Sequence, residues 1–428
     1  MEYIDLIKQL NDSDKSRRIA AIVELSTLVR NGSITPPVNG NDVNNHIHTT
    51  YSFSPYSPSM AVWQGYMAGL KTVGIMDHDS IGGAEEFIEA ADVIGIACTV
   101  GVECRVKMDK TPLNGRKINN PDQDSVAYVA LHGIPHTQIS TISAFFKPYR
   151  EARNVRNRKM VNNINNILKP FNLLIDFDKD VIPLSMYHDG GSVTERHLLF
   201  AVSKKIIDKY GKGEKTVNFL TQALKLNISA KVTGYLNDVN NPYYEYDLLG
   251  ALKSDMVSLF YINSTDESPD ISDIIKLAKE TGSILAYAYL GDVTASVTGD
   301  KKVQKFEDNY LDELFIVLKE LNFNAITYMP SRNTKEQLAK VRENCDKYKL
   351  FQISGEDINT PRQSFICFAQ RDPEYSNLYD AAWALIGHET AATENASNGF
   401  FTEKTIFEIP DLYERIQYFK KLVHGKFN

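Results

Sequence analysis

The chain has 428 residues, 47 of them Lys or Arg against 54 Asp or Glu, for a formal charge of −7. At roughly 100–200 residues per domain, this length holds two or three units or one elaborated barrel. With 43% hydrophobic and 24% charged residues, the composition argues against a globally disordered chain, and the mildly acidic balance argues against long duplex nucleic acid as a partner.

Residues 1–38 read as a polar N-terminal helical extension. Ile4, Ile7 and Leu10, then Ile19, Ile22, Val23, Leu25, Leu28 and Val29, recur at near-helical spacing before NGSITPPVNGND breaks the pattern. From 39 to 105, short apolar runs alternate with helical ones: HIHTTYS, MAVWQGYMAGLKT, VGIMDHD, GGAEEFIEAADVIG and IACTVGVECRV. This is strand, helix, strand, helix, strand at βαβ spacing, the first part of a barrel. Residues 106–190 carry the loop KTPLNGRKINNPDQDS, a strand-like VAYVALHGI and the polar helix REARNVRNRKMVNNINNIL, and are expected to form an inserted helical subdomain. The βα rhythm returns within 191–370, in SILAYAYLGD, FNAITYMPS and LFQISGED, each preceded by a helical run, which suits parallel barrel strands. The Tyr- and Asn-rich YLNDVNNPYYEYD reads as an ordered loop or lid, and 371–428 as a C-terminal helical extension.

No run of about 18 apolar residues suggests a membrane span, and MEYIDLIKQLNDSDKSRR carries charges where a signal peptide needs an apolar core. The expectation is a cytoplasmic protein without a membrane partner. Cys98, Cys104, Cys345 and Cys367 never approach CxxC spacing and are expected to be reduced, buried thiols.

Side chains able to hold metal accumulate at the expected strand ends. His46 and His48 have i, i+2 spacing, so an extended strand projects both imidazoles from one face. Asp77, His78 and Asp79 follow the second strand. Glu103 ends the third, where an unpaired carboxylate is costly to bury unless it meets a cation. His132 follows VAYVAL, His197 opens the helical run HLLFAVSKKII, and Asp357 and Asn359 follow LFQIS. Any one of these has an ordinary explanation as a core or surface residue; so many element ends, each offering a ligand, favour a metal site.

HIHTTYS, IMDHDSIGG, GVE, LHG, ERHLLFAV and SGEDIN, in this order, resemble the polymerase and histidinol phosphatase (PHP) domain family of metal-dependent phosphoesterases. The long insertion between His132 and His197 resembles the subgroup of nucleotide and oligoribonucleotide phosphatases. The resemblance spans about 43–365 and implies an α/β fold, a distorted (β/α)7 TIM-like barrel with an inserted helical subdomain. It implies two divalent ions (Zn, Mn or Fe) on His46, His48, Glu103, His132, His197 and Asp357, with His78 as a ligand of a third ion. Asp77 and Asp79 are then groups that orient His78 or its neighbours.

This chain departs from the family pattern at Phe53, in place of an acidic ligand, and at Asn359, in place of a terminal His; both belong to the third ion. Tyr287 and Tyr289 replace a common strand-end AHP. Arginines of the insertion helix, Arg153 and Arg156 above all, and Arg332 are expected to touch substrate phosphate. His136 and His188 are expected at the surface, and His388 and His424 carry no assigned role. The resemblance thus implies hydrolysis of a small phosphorylated substrate, a nucleotide or short oligonucleotide included. The rival expectation is a catalytically impaired, metal-binding protein of the same fold.

Overall fold

The computed structural model describes residues 3–37, 40–293 and 304–425. In chain order come helices α1 (Tyr3–Gln9) and α2 (Lys15–Arg30), strand β1 (Val43–Ile47), α3 (Pro58–Met67), β2 (Thr72–His78), α4 (Ala84–Ile94), β3 (Ala97–Lys107) and β4 (Val126–His132). Next come α5 (Ile139–Leu168), α6 (Glu195–Tyr210), α7 (Glu214–Asn218), α8 (Ala230–Asn237) and α9 (Tyr244–Phe260). The second βα block follows as α10 (Ile271–Thr281), β5 (Ile284–Ala288), α11 (Leu311–Glu320), β6 (Ala325–Tyr328), α12 (Lys335–Tyr348) and β7 (Phe351–Ser354). Helices α13 (Asn377–Glu394), α14 (Glu403–Glu408) and α15 (Leu412–His424) complete the described chain. Local chemistry sets several boundaries. Ser57 caps the Met60 amide of α3 with Pro58 behind it, and Thr334 and Gln337 form a capping box at α12.

The seven strands form one mixed sheet in the order β1-β2-β3-β4-β5-β6-β7. β1 to β3 run parallel, as do β5 to β7, while β4 is antiparallel to both β3 and β5. A parallel return would need a crossover, usually helical. The 108–125 connection contains no helix, so β4 folds straight back along β3, with Lys107 opposite Val126. Residues 106–190, expected as a helical insertion, therefore also supply the end of β3 and all of β4. The sheet curls until β1 meets the chain just past β7: Ile47 bridges Ile358, the His48 amide donates to Ile358 O at 2.9 Å, and the Ile358 amide donates to His46 O at 3.1 Å.

Strand alternation sorts the core into two faces. Leu285, Tyr287, Ile326 and Tyr328 pack with Ile274 of α10, Leu314 of α11 and Leu338 of α12 on the outer face. The alternate residues Ile284, Ala286, Ala325, Phe351 and Ile353 pack with Ala381, Ala384 and Leu385 of α13. The C-terminal extension thus packs on the sheet face that α10, α11 and α12 leave free. It is anchored there by Glu389, which accepts from Thr99 Oγ1 and the Val100 amide at 2.8 Å each. At the other end, α5, α6 and α9 share a separate apolar cluster that includes Phe53 from the loop after β1. The N-terminal helices dock through a buried ion pair, Arg18 Nη2 to Glu86 Oε2 at 2.5 Å. Among the described residues, no helix is long and apolar enough to cross a membrane.

Candidate metal centre

β1, β2 and β3 are in parallel register, with His78 directly opposite Glu103, so their carboxyl ends bring His46, His48, His78 and Glu103 together. One ligand atom each from His46, His48 and Glu103 lies within 4.8 Å of the others. Glu103 Oε2 is 3.1 Å from His78 Nδ1, 3.6 Å from His46 Nε2 and 3.9 Å from His48 Nε2, and His48 Nε2 is 3.1 Å from Asp357 Oδ1. Ligand atoms about 2.0–2.1 Å from a shared ion in tetrahedral array would sit roughly 3.3–3.4 Å apart. Nε2 of both His46 and His48 is buried without a hydrogen-bond partner, a costly state that a cation relieves. Imidazole and carboxylate donors together fit Zn, Mn or Fe.

The protonation states also suit ligands. Burial works against the Glu103 carboxylate, but His78, His46 and His48 outweigh it and bring its pKa down to about 2. Asp357 is held well below the usual carboxylate range, burial being overcome by His48, His46 and Arg196. Burial pushes His78 down to about 3, keeping its imidazole neutral. His46 moves the other way: burial disfavours its charge, yet Glu103 raises its pKa, so a cation bound there competes with a proton.

Supporting groups fix these rings. Asp77 accepts from the Thr49 amide at 2.7 Å and from Thr49 Oγ1 and Ser52 Oγ at 2.6 Å each, and Ser52 Oγ lies 3.2 Å from His48 Nδ1. Asp77 therefore braces His48 and the turn after β1, and not His78. Gly355, just past β7, allows the chain to pass His46: a Cβ there would lie 2.6 Å from the His46 Cβ. Asp357 Oδ1 accepts from Asn359 Nδ2 at 2.6 Å, and Asn359 Oδ1 accepts from Arg196 Nη1 at 2.6 Å.

The other expected residues occupy distinct surroundings. Glu103 is opposite Ala130, so His132 shares its face but sits two residues further along an antiparallel strand, roughly 7 Å deeper than the carboxyl-end rim. His132 is buried, its Nε2 is unpartnered, and burial together with nearby His46 lowers its pKa to about 3. His197 does not belong to the convergent group. Its Nδ1 accepts from the Thr194 amide at 3.0 Å, and its ring stands edge-on to Phe53 with centroids 5.0 Å apart.

The arginines of α5 differ from the solvated face their charge pattern suggests. Arg153 and Arg156 are buried: Arg153 pairs with Asp79 at 2.6 Å, and Arg156 with Glu195 at 2.6 Å and Glu267 at 2.5 Å. Asp79 thus holds the helical layer onto the loop after β2. Arg332 donates to Leu290 O at 3.1 Å. Residues 235–247, expected as a loop or lid, are ordered by Arg362, which stacks 3.7 Å over Tyr235 and pairs with Asp247 at 2.6 Å.

Sequence reasoning missed Arg196, although it stands inside ERHLLFAV, because its neighbour His197 carried the motif.

No protein-family model matches this chain, and no curated protein does. Among solved structures, the chain is similar to one from Bifidobacterium adolescentis described as a "putative metal-dependent phosphoesterase", with a TM-score of 0.51 and 18% identity over 81% of this chain and 98% of that one. It also aligns with an amidohydrolase from Chromobacterium violaceum with bound sulfate and no metal, with a TM-score of 0.48 and 16% identity over 76% of this chain and 89% of that one. At this identity the first likeness is one of fold.

Proposed function

We propose that this chain is a metal-dependent phosphoesterase of the PHP kind, which hydrolyses a small phosphorylated metabolite or nucleotide-like ester. The observation that carries this reading is the convergence of His46, His48 and Glu103, with two buried imidazole nitrogens left unpartnered. The likeness to the Bifidobacterium phosphoesterase structure supports it. In this reading His46, His48, Glu103 and Asp357 hold one divalent ion. Glu103 with His132 favours a second, and His197 would join only from its present seat against Phe53.

Divalent ions so held supply Lewis-acid activation of water near neutral pH and neutralise charge developing on phosphoryl oxygens. The chain's own work is to present the neutral His78 imidazole and the ionised Glu103 and Asp357 carboxylates before any ion arrives. Asp77 and Ser52 fix the His48 ring, and Asn359 fixes the Asp357 carboxylate.

The test is metal analysis of purified protein followed by a panel of phosphomonoesters and short oligonucleotides with Mn²⁺ or Zn²⁺. Turnover that disappears in Glu103→Gln supports the reading; no turnover on any substrate by metal-loaded protein contradicts it. Phe53 and Asn359 favour a second reading, a metal-holding binding protein, because Phe53 packs apolar surface on His197 and Asn359 is committed to Arg196. That protein would retain metal and turn over nothing.

A further inference from the structure

We propose that Arg415, in the C-terminal extension and apart from the metal centre, forms a binding site for a small oxyanion, a phosphate or a carboxylate. The inference goes beyond the phosphoesterase reading and does not rest on it.

Helix α15, LYERIQYFKKLVH, buries one stripe of side chains, Arg415, Phe419 and Val423, which recur every four residues. Phe419 faces the His388 ring of α13 and the Phe400 ring, so this stripe is the seat of the helix. An apolar side chain suits such a seat, and a guanidinium does not. Arg415 is 5% exposed, and its Nε and Nη1 are buried without a hydrogen-bond partner. Its guanidinium lies over the rings of Phe400 and Phe401, with Cζ 5.3 and 5.5 Å from their centroids. Arginine cannot escape the cost of burial by losing its proton, and stacking on two rings recovers only part of what the charge loses on leaving water.

The other buried arginines of the described residues show how this chain ordinarily meets that cost. Arg18, Arg105, Arg153 and Arg156 each pair with a carboxylate, and Arg150 donates to Asp79 O at 3.0 Å. The side chain of Arg415 does neither among the described residues. The acids around it are committed elsewhere. Asp380 accepts from Gln417 Nε2 at 2.7 Å and Lys420 Nζ at 2.6 Å, and Glu389 holds Thr99, Val100 and His136. Asp411, whose field reaches Arg415, caps α15 by accepting from the Glu414 amide at 3.0 Å.

A side chain so covered is out of reach of a broad partner surface, which favours a small ion. Nη2 is the nitrogen of the group that is neither bonded nor sealed from solvent. It shares one edge of the planar fork with Nε and another with Nη1, so an anion that meets Nη2 finds two parallel donors. Phosphate and carboxylate both present the matching pair of oxygens.

The test is thermal unfolding of the full chain, kept metal-free by a chelator, at fixed ionic strength. Chloride is the reference, inorganic phosphate and acetate are the probes, and the proteins are the wild type, Arg415→Met and Arg415→Lys. At least one probe should raise the melting temperature of the wild type with a saturable dependence on concentration. The affinity read from that dependence should fall about 10- to 150-fold in Arg415→Met, as for a charged hydrogen-bonding group, and by less in Arg415→Lys, which keeps the charge but not the fork. In chloride alone Arg415→Met should melt no lower than the wild type, because it removes a buried charge that lacks a partner. A response to phosphate alone assigns the site to a tetrahedral anion, and a response to acetate alone to a carboxylate. A wild type that answers neither probe, or an Arg415→Met that answers as strongly as the wild type, would overturn the site. If Arg415→Met did not fold, undiminished affinity in Arg415→Lys would overturn it equally.

Discussion

His48 Nε2 lies 3.1 Å from Asp357 Oδ1, although the two side chains come from opposite edges of the sheet. Each is held by its own frame: His48 by Ser52 and Asp77 after β1, Asp357 by Asn359 after β7, with the Ile47–Ile358 bridge joining the two ends of the sheet. The curl of the sheet and these two frames thus bring the pair together before any ion is bound, which is the condition for a preorganised ion site.

Asp77→Asn tests the first frame. The amide cannot accept all three hydrogen bonds that Asp77 takes from Thr49 and Ser52. Metal affinity, measured by competition with a chelator, should fall about 10- to 100-fold with the fold retained. Unchanged affinity would show that the brace does not govern His48.

Arg156→Ala should destabilise the protein by about 3–5 kcal/mol, because it strands Glu267, 2% exposed, without its closest cation. Urea unfolding measures this directly. A loss below about 1 kcal/mol, as for an exposed ion pair, would mean that Arg156 is solvated.

His136 gives a pH signature. Burial disfavours its charge, but Glu389 Oε1, 2.8 Å from its Nε2, outweighs this and raises its pKa above the ordinary 6.5. Glu389 is itself shifted upward, burial outweighing its donors, so its own contribution also falls as pH rises, and the His136 signature is read as the difference between wild type and variant. A raised histidine pKa stabilises fully below about 6.5, and that contribution is lost as pH rises through the folded value. The melting temperature of the wild type should therefore fall more steeply above pH 6.5 than that of His136→Gln. Parallel profiles would remove the pair from the account.

Gly387→Ala probes the seat of the C-terminal helices. A Cβ at 387 would come within 2.7 Å of the Phe419 carbonyl carbon and closer still to its oxygen, so α15 must shift away from α13. A loss of about 1–3 kcal/mol is expected in urea unfolding. No loss would mean that α15 is only loosely seated.

Much of the site was legible because it depends on local pattern. HIH at i, i+2 on a strand and Glu103 at the end of an apolar run follow from strand alternation and the cost of burying a lone carboxylate, and the structure brings these residues together. The direction of β4 was not legible, because it turns on the 108–125 connection containing no helix, and this sets His132 deeper than a strand end in a parallel barrel would be. The role of α13 was hidden as well. AAWALIGHETAA is apolar on several faces, and only the folded sheet reveals that Ala381 and Leu385 pack on the face that α10, α11 and α12 leave free. The arginines of α5 resembled a solvated stripe because their partners Asp79, Glu195 and Glu267 are far away in sequence.

The central claim is that His46, His48 and Glu103 hold a divalent ion, and metal retention through dialysis tests it most directly. Wild type and Glu103→Gln, matched in circular dichroism, are loaded with Mn²⁺ or Zn²⁺, dialysed and assayed for metal per chain. The account predicts that the wild type keeps its metal and that Glu103→Gln loses it, because a neutral amide cannot balance a dication among neutral imidazoles. Equal metal in the two proteins, or none in either, would contradict it.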